Sequence, residues 1–221
     1  MSALKITILG CGSSFGVPLF HNIWGKCDPK EPKNIRSRPS ILVQKNGKNL
    51  LIDTSPDLKQ QILSNKIDNI DAVFYTHEHA DHTHGINELR SINLIHRKII
   101  PCYGNEQTME KITHSFNYLF ENTEKSYYPA ILSKNHFSSK EFEIFGINIK
   151  LISQNHGDID SIGFIFDNKI AYNLDVKYFY DQDEYFKSIE NIDHWIVGCL
   201  RIDPHISHAS LSDVKEWLDV V

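Results

Sequence analysis

Ten residues constrain this chain more than any others: Thr76-His77-Glu78-His79-Ala80-Asp81-His82-Thr83-His84-Gly85. They follow an apolar run, Ala72–Tyr75, that reads as a buried strand, and precede Ile86–Ile95, whose spacing reads as a helix. Four imidazoles and two carboxylates crowd one strand-to-helix turn, in a chain with 12 histidines in 221 residues. Imidazole with carboxylate suits Zn²⁺, Mn²⁺ or Fe²⁺. Histidines two apart on the turn face one ion, and the Asp and His that follow face a second close by. Two such ions, roughly 3.5–4 Å apart, share a hydroxide and a bridging carboxylate.

The rest of the chain alternates strands and helices. Strands are predicted at Lys5–Leu9, Ser40–Gln44, Leu50–Ile52, Ile99–Tyr103, Phe142–Phe145, Ile147–Ile152, Gly163–Phe166, Ile170–Tyr172 and Trp195–Val197. Asn46-Gly47 and Asp167-Asn168-Lys169 are hairpin signals. Helices are predicted at Pro56–Leu63 with Ser55 as N-cap, Glu106–Phe120, Val176–Ile189, and Leu211–Leu218 with Ser210 as N-cap and Asp213 in its first turn. Lys26–Arg38 is polar and reads as a surface loop near a site. The expectation is one α/β domain over 1–221.

Composition narrows the classes. Lys plus Arg is 23 and Asp plus Glu 28, a net charge of −5, so no sequence-independent grip on DNA is expected. No apolar run approaches the roughly 20 residues of a membrane span, and the first residues lack a signal-peptide pattern. The four dispersed cysteines, Cys11, Cys27, Cys102 and Cys199, read as free thiols in a reducing cytoplasm.

The motif H-x-H-x-D-H after a strand resembles the signature of the metallo-β-lactamase superfamily. That resemblance implies a four-layer αββα sandwich of two mixed sheets with outer helices. It implies that His77 and His79 hold a first metal, joined by His156 of Gln154-Asn155-His156-Gly157. It gives Asp81 and His82 to a second metal, with Asp175 of Asn173-Leu174-Asp175 as the bridging carboxylate. Leu9-Gly10-Cys11-Gly12-Ser13-Ser14-Phe15-Gly16 with Arg36-Ser37-Arg38-Pro39-Ser40 is similar to the branch containing the phosphoribosyl cyclic phosphodiesterase of phosphonate breakdown.

That branch implies hydrolysis of a small cyclic phosphate or nucleotide-like substrate by a metal-bridging hydroxide, with two Zn or Mn ions. Asp81, Asp175 and His208 are then catalytic, His208 as general acid or phosphate contact. Arg36, Arg38, Ser13 and Ser14 contact substrate. Phe116, Tyr118, Phe120, Tyr127 and Tyr128 read as core or as a stacking surface.

Two departures stand out. Cys27 is alone where the phosphonate enzyme carries a cysteine cluster, so no third metal is expected. The family's final strand, with its last metal histidine, has no counterpart before Val221. A weak or empty second site is the expectation, with a sheet edge left for a homodimer or a partner strand to cover. Two other functions stay open: hydrolysis of a thioester or lactone at the same metals, and a binding member of weak activity.

Overall fold

The structure is a computed structural model describing residues 2–122 and 129–221. Tyr127 and Tyr128 lie outside the described residues. By contacts the chain divides into two compact units, Met1–Phe137 and Ser138–Val221.

The first unit holds a six-stranded sheet in sequence order: β1 (Lys5–Gly10), β2 (Ser40–Lys45), β3 (Lys48–Ile52), β4 (Ala72–Phe74), β5 (Ile100–Gly104) and β6 (Leu132–His136). The first three strands pair antiparallel and the last four parallel. Asn46 and Gly47 turn β2 into β3 at φ 53° and 73°, the left-handed pair that an Asn-Gly hairpin supplies. Parallel neighbours need crossovers. These are α1 (Leu58–Ser64), then α2 (Ala80–Thr83) with α3 (Leu89–His96), then α4 (Glu106–Ser115) with α5 (Asn117–Phe120).

Leu51, Val73 and Cys102 of the sheet form one core with Leu58, Ile92 and Met109 of these helices. The alternate strand residues Leu50, Ile52 and Phe74 are equally buried. Burial on both faces explains why these strands read as continuous apolar runs.

The second unit carries β7 (Glu141–Ile144), β8 (Ile147–His156), β9 (Ile159–Phe166), β10 (Ile170–Asn173), β11 (Tyr178–Phe179) and β12 (His194–Val197). Their order is β11-β8-β9-β10-β12, with β7 also on β8, and only β10 and β12 run parallel. Two helices, α6 (Gln182–Ile189) and α7 (Leu211–Leu218), join a core of Ile152, Ile165, Ala171, Phe179, Tyr185 and Trp217. Two mixed sheets with helices therefore bear out the α/β fold class.

Local predictions failed where side chains compete for the backbone. Asp57, not Ser55, precedes α1; the Ser55 hydroxyl instead accepts from the Asp57 N–H at 3.1 Å. Ile86–Ile95 splits into a 3-10 turn, Ile86–Glu88, and α3. Glu106–Phe120 breaks at Phe116, which leaves helical geometry. Val176–Ile189 becomes a bridge to β8 followed by α6. The Lys177 N–H donates to Asn155 O at 2.7 Å, and Asp181 caps the Glu184 N–H at 3.0 Å. By contrast, α7 begins with the predicted reciprocal box between Ser210 and Asp213.

Candidate metal centre

In the first unit, β4 runs out through Tyr75 and Thr76 into an extended segment that ends at α2. Thr76 is the pivot. Its N–H donates to Asp53 Oδ1 at 2.8 Å and its hydroxyl donates to Asp53 Oδ2 at 2.8 Å. The same Oδ2 lies 2.7 Å from His82 Nδ1. With its proton given to Asp53, the Thr76 hydroxyl has lone pairs for the Nδ1–H of His77, 2.9 Å away.

Both contacts assign the ring proton to Nδ1 and leave Nε2 of His77 and His82 as lone-pair donors, the form a metal takes. His77 Nε2 and His79 Nδ1 lie 3.0 Å apart. Two nitrogens on the edge of a tetrahedral zinc site are separated by roughly 3.3 Å. Asp81 Oδ2 sits 3.6 Å from His82 Nε2. The donor set fits one or more divalent ions.

Asp53 is the residue that sequence reasoning missed. It is fully buried, at a positive φ of 62°. Burial pushes its carboxyl pKa up; the facing His82 and the Thr76 hydrogen bonds pull it back. The only trace in the sequence is a carboxylate at the end of β3 followed by Thr54 and Ser55. Those neighbours hold the far side of the turn. The Thr54 N–H donates to His82 O at 2.7 Å, and the Gly85 N–H to Thr54 O at 2.8 Å. A Cβ on Gly85 would sit 1.9 Å from Ser55 O, so this approach requires glycine.

In the second unit, His156 ends β8. Its Nδ1–H donates to Ser207 O at 2.8 Å, again leaving Nε2 outward. Asp175, at φ 49° just beyond β10, has one oxygen 3.9 Å from His156 Nε2 and the other 3.5 Å from His208 Nδ1.

The end of β10 is pinned by Asn173, which accepts from Tyr185 OH at 2.6 Å and Trp195 Nε1 at 3.0 Å. Ser161 Oγ donates to Asp175 O at 2.8 Å, and the Ala209 N–H to Val176 O at 2.7 Å. Through that last bond the segment before α7 brings His208 to Asp175. His205 lies beside His208, with ring centroids 5.1 Å apart. Burial, with Arg201, His156 and Lys177 nearby, holds the His205 pKa below its ordinary value.

The loops expected to meet substrate are zipped to each other in the first unit. The Gly12 N–H donates to Ser37 O at 2.7 Å, and Val17 N–H to Arg36 O at 2.9 Å. Arg36 Nη1 lies 3.1 Å from Cys11 Sγ. Arg38 grips Asp57 with Nε at 2.9 Å and Nη2 at 2.6 Å. Ser13 Oγ closes the turn on Gly16 O at 3.4 Å, and Ser14 is exposed. A cleft of about 340 Å³ runs between these loops and α1, lined by Phe15, Ile35, Arg36, Arg38 and Gln60. Phe116 and Phe120 pack on the first unit's core, while Tyr118 is exposed. Among the described residues, no helix is long and apolar enough to cross a membrane.

Residues 48–221 match the β-lactamase superfamily domain. A solved structure described as a new diphosphatase from the PhnP family is 30% identical, with a TM-score of 0.84 over 98% of this chain and 82% of its own. An octanoyltransferase from Porphyromonas gingivalis is 30% identical over 175 residues, 79% of this chain. A ribonuclease Z from Clostridium kluyveri is 30% identical over 162 residues, 70% of this chain. The chain spans 35% of the length of the octanoyltransferase and 46% of that ribonuclease. The match across residues 48–221, the full-length likeness and the strand-end histidines place this chain in the metallo-β-lactamase superfamily.

Proposed function

We propose that the chain is a two-metal phosphodiesterase acting on a small cyclic phosphate or nucleotide-like substrate. His77, His79 and His156 would hold one ion, Asp81 and His82 the other, with Asp175 shared. Zn²⁺ or Mn²⁺ bound there would supply Lewis acidity toward the phosphoryl oxygens and make a water acidic enough to attack near neutral pH.

The chain's own residues do the rest. Asp53, Thr76 and Ser207 fix which imidazole nitrogen faces outward. His208, beside Asp175, carries the proton that the departing oxygen takes up; an imidazole does this readily near neutral pH. Arg36 is the better placed of the two arginines to meet a second phosphate, because Arg38 commits two guanidinium nitrogens to Asp57. The observation that carries this reading is the 30% identity to a diphosphatase over 98% of the chain.

The test is metal content with hydrolysis of bis-p-nitrophenyl phosphate after adding Zn²⁺ or Mn²⁺. About two ions per chain and activity lost in His79→Ala support the reading. No turnover under any metal would leave a binding protein.

A second reading, hydrolysis of a thioester or lactone, is favoured by one observation, the relative named for octanoyl transfer. An octanoyl thioester cleaved faster than the phosphodiester would replace the first reading with this one.

A further inference from the structure

We infer that Glu78 is a positioning residue: its carboxylate clamps the metal-binding turn to α4, and this clamp sets the direction in which His77 and His79 present their ring nitrogens. The inference rests on the metal reading above.

Glu78 stands between two ligands, and its side chain is nearly covered, 11% exposed. One oxygen pairs with the Lys111 ammonium; the other accepts from the Thr108 hydroxyl at 3.2 Å. Thr108 and Lys111 are three apart on α4 and share one face. That helix is a firm anchor. Met109 and Ile112 bury its other side, and Asn105 caps its first turn by accepting from the Thr108 N–H at 2.7 Å.

The geometry makes the clamp consequential. Residues 76–79 precede α2, and His79 is extended at φ −62° and ψ 153°. In an extended segment, side chains alternate. His77 and His79 point one way and Glu78 the other. Rotation of the segment about its own axis would move both imidazoles together; on the Glu78 side the carboxylate clamp opposes it, beside a long contact of the Thr83 hydroxyl with Glu78 O at 3.5 Å. Thr83 Oγ1, donating to His79 O at 2.9 Å, holds the segment's end, not its twist. A carboxylate fixed at both oxygens to a helix stops the rotation. The His77 Nε2 and His79 Nδ1 pair, 3.0 Å apart, is thereby held facing one fixed direction, the one in which an ion can meet both.

The test is Co²⁺ titration, read by its visible absorption bands, on the parent chain and on Glu78→Ala, Glu78→Gln, Lys111→Met and the exchanged pair Glu78→Lys with Lys111→Glu. Removing a hydrogen-bond partner of a metal ligand weakens binding on the order of 10–100-fold. Glu78 acts one step further out, through the backbone, so Glu78→Ala is expected at the low end, about 10-fold, with altered bands. Glu78→Gln, which keeps an acceptor for Thr108, and Lys111→Met should fall between it and the parent, and the exchange should recover part of the loss.

Lys111 is half exposed, so Lys111→Met tests the clamp even where Glu78→Ala fails to fold. Parent-like affinity and bands in Lys111→Met and Glu78→Gln, whatever their melting temperatures, would overturn the role while leaving the metal reading intact. A parent chain that binds no Co²⁺ would overturn both.

Discussion

Two histidine clusters, one in each unit, solve the same problem by different means. In the first, ligand types are contiguous, and a buried carboxylate, Asp53, fixes the ring orientation of His82 directly and of His77 through Thr76. In the second, His156, Asp175 and His208 arrive from three separate segments, and a main-chain oxygen, Ser207 O, orients the histidine. A side-chain brace can be deleted by mutation and titrated. A backbone brace can only be displaced. The first cluster should therefore be fragile to point substitution at its support, and the second fragile only to changes in chain path.

Asp53→Ala should show the largest effect. It leaves the His82 Nδ1–H and the Thr76 N–H buried without their acceptor, at about 1–3 kcal/mol each, so a loss of about 2–5 kcal/mol is expected by urea denaturation of the metal-free protein. A loss below 1 kcal/mol would break the contrast.

Gly157→Ala comes next. Gly157 sits at φ 78°, and a Cβ there would lie 2.7 Å from Ser207 Cβ. The substitution should lower stability by about 1–3 kcal/mol and weaken metal binding by pushing Ser207 O off His156. Loss of stability with unchanged metal affinity would show that His156 needs no such support.

Arg38→Met probes a brace at the rim of the first unit. The Arg38 hydrogen bond, against the pull of partial burial, holds Asp57 below the usual carboxylate pKa. A lowered carboxyl stabilises the fold above its unfolded pKa, and that contribution disappears as pH falls through the folded value. The variant should lose about 1 kcal/mol near pH 7. The gap to the parent should close as the pH drops below 4; a gap that is constant down to pH 2 would deny the linkage.

Ser207→Ala should do least. The contact that matters is its carbonyl, so stability should change by under about 0.5 kcal/mol, with metal affinity unchanged. A tenfold loss of affinity would give the hydroxyl, which approaches His205 at 3.3 Å, a part in the site.

Much of the fold was legible because it was local. The Asn46-Gly47 turn needs two left-handed residues in sequence, and the Ser210–Asp213 box spans a single helical turn. Legibility failed where two local preferences met. Residues 176–181 have helical spacing, yet the hydrogen bond from Lys177 to Asn155 draws them onto β8, and Asp181 restarts the helix. β6 escaped notice because Leu132–His136 alternates with polar residues in the middle of a loop-like stretch. Its pairing with β5, rather than its own composition, makes it a strand.

What the sequence determined by itself was the donor set. Three histidines and an aspartate, His77, His79, Asp81 and His82, packed after a strand carry their meaning in their spacing, because a turn presents residues two and three apart to the same point. Only the tertiary structure decided what holds them. Asp53 meets His82 across 29 residues and Ser207 meets His156 across 51. Arg38 reads as a substrate contact in sequence, yet in the fold it grips Asp57. Such pairings follow from where strand ends and helix starts come to rest, and no periodicity within a segment encodes that position. The reason is the range of the forces: dihedral preferences and side-chain spacing act over a few residues, whereas burial and hydrogen-bond satisfaction select partners from the whole folded unit.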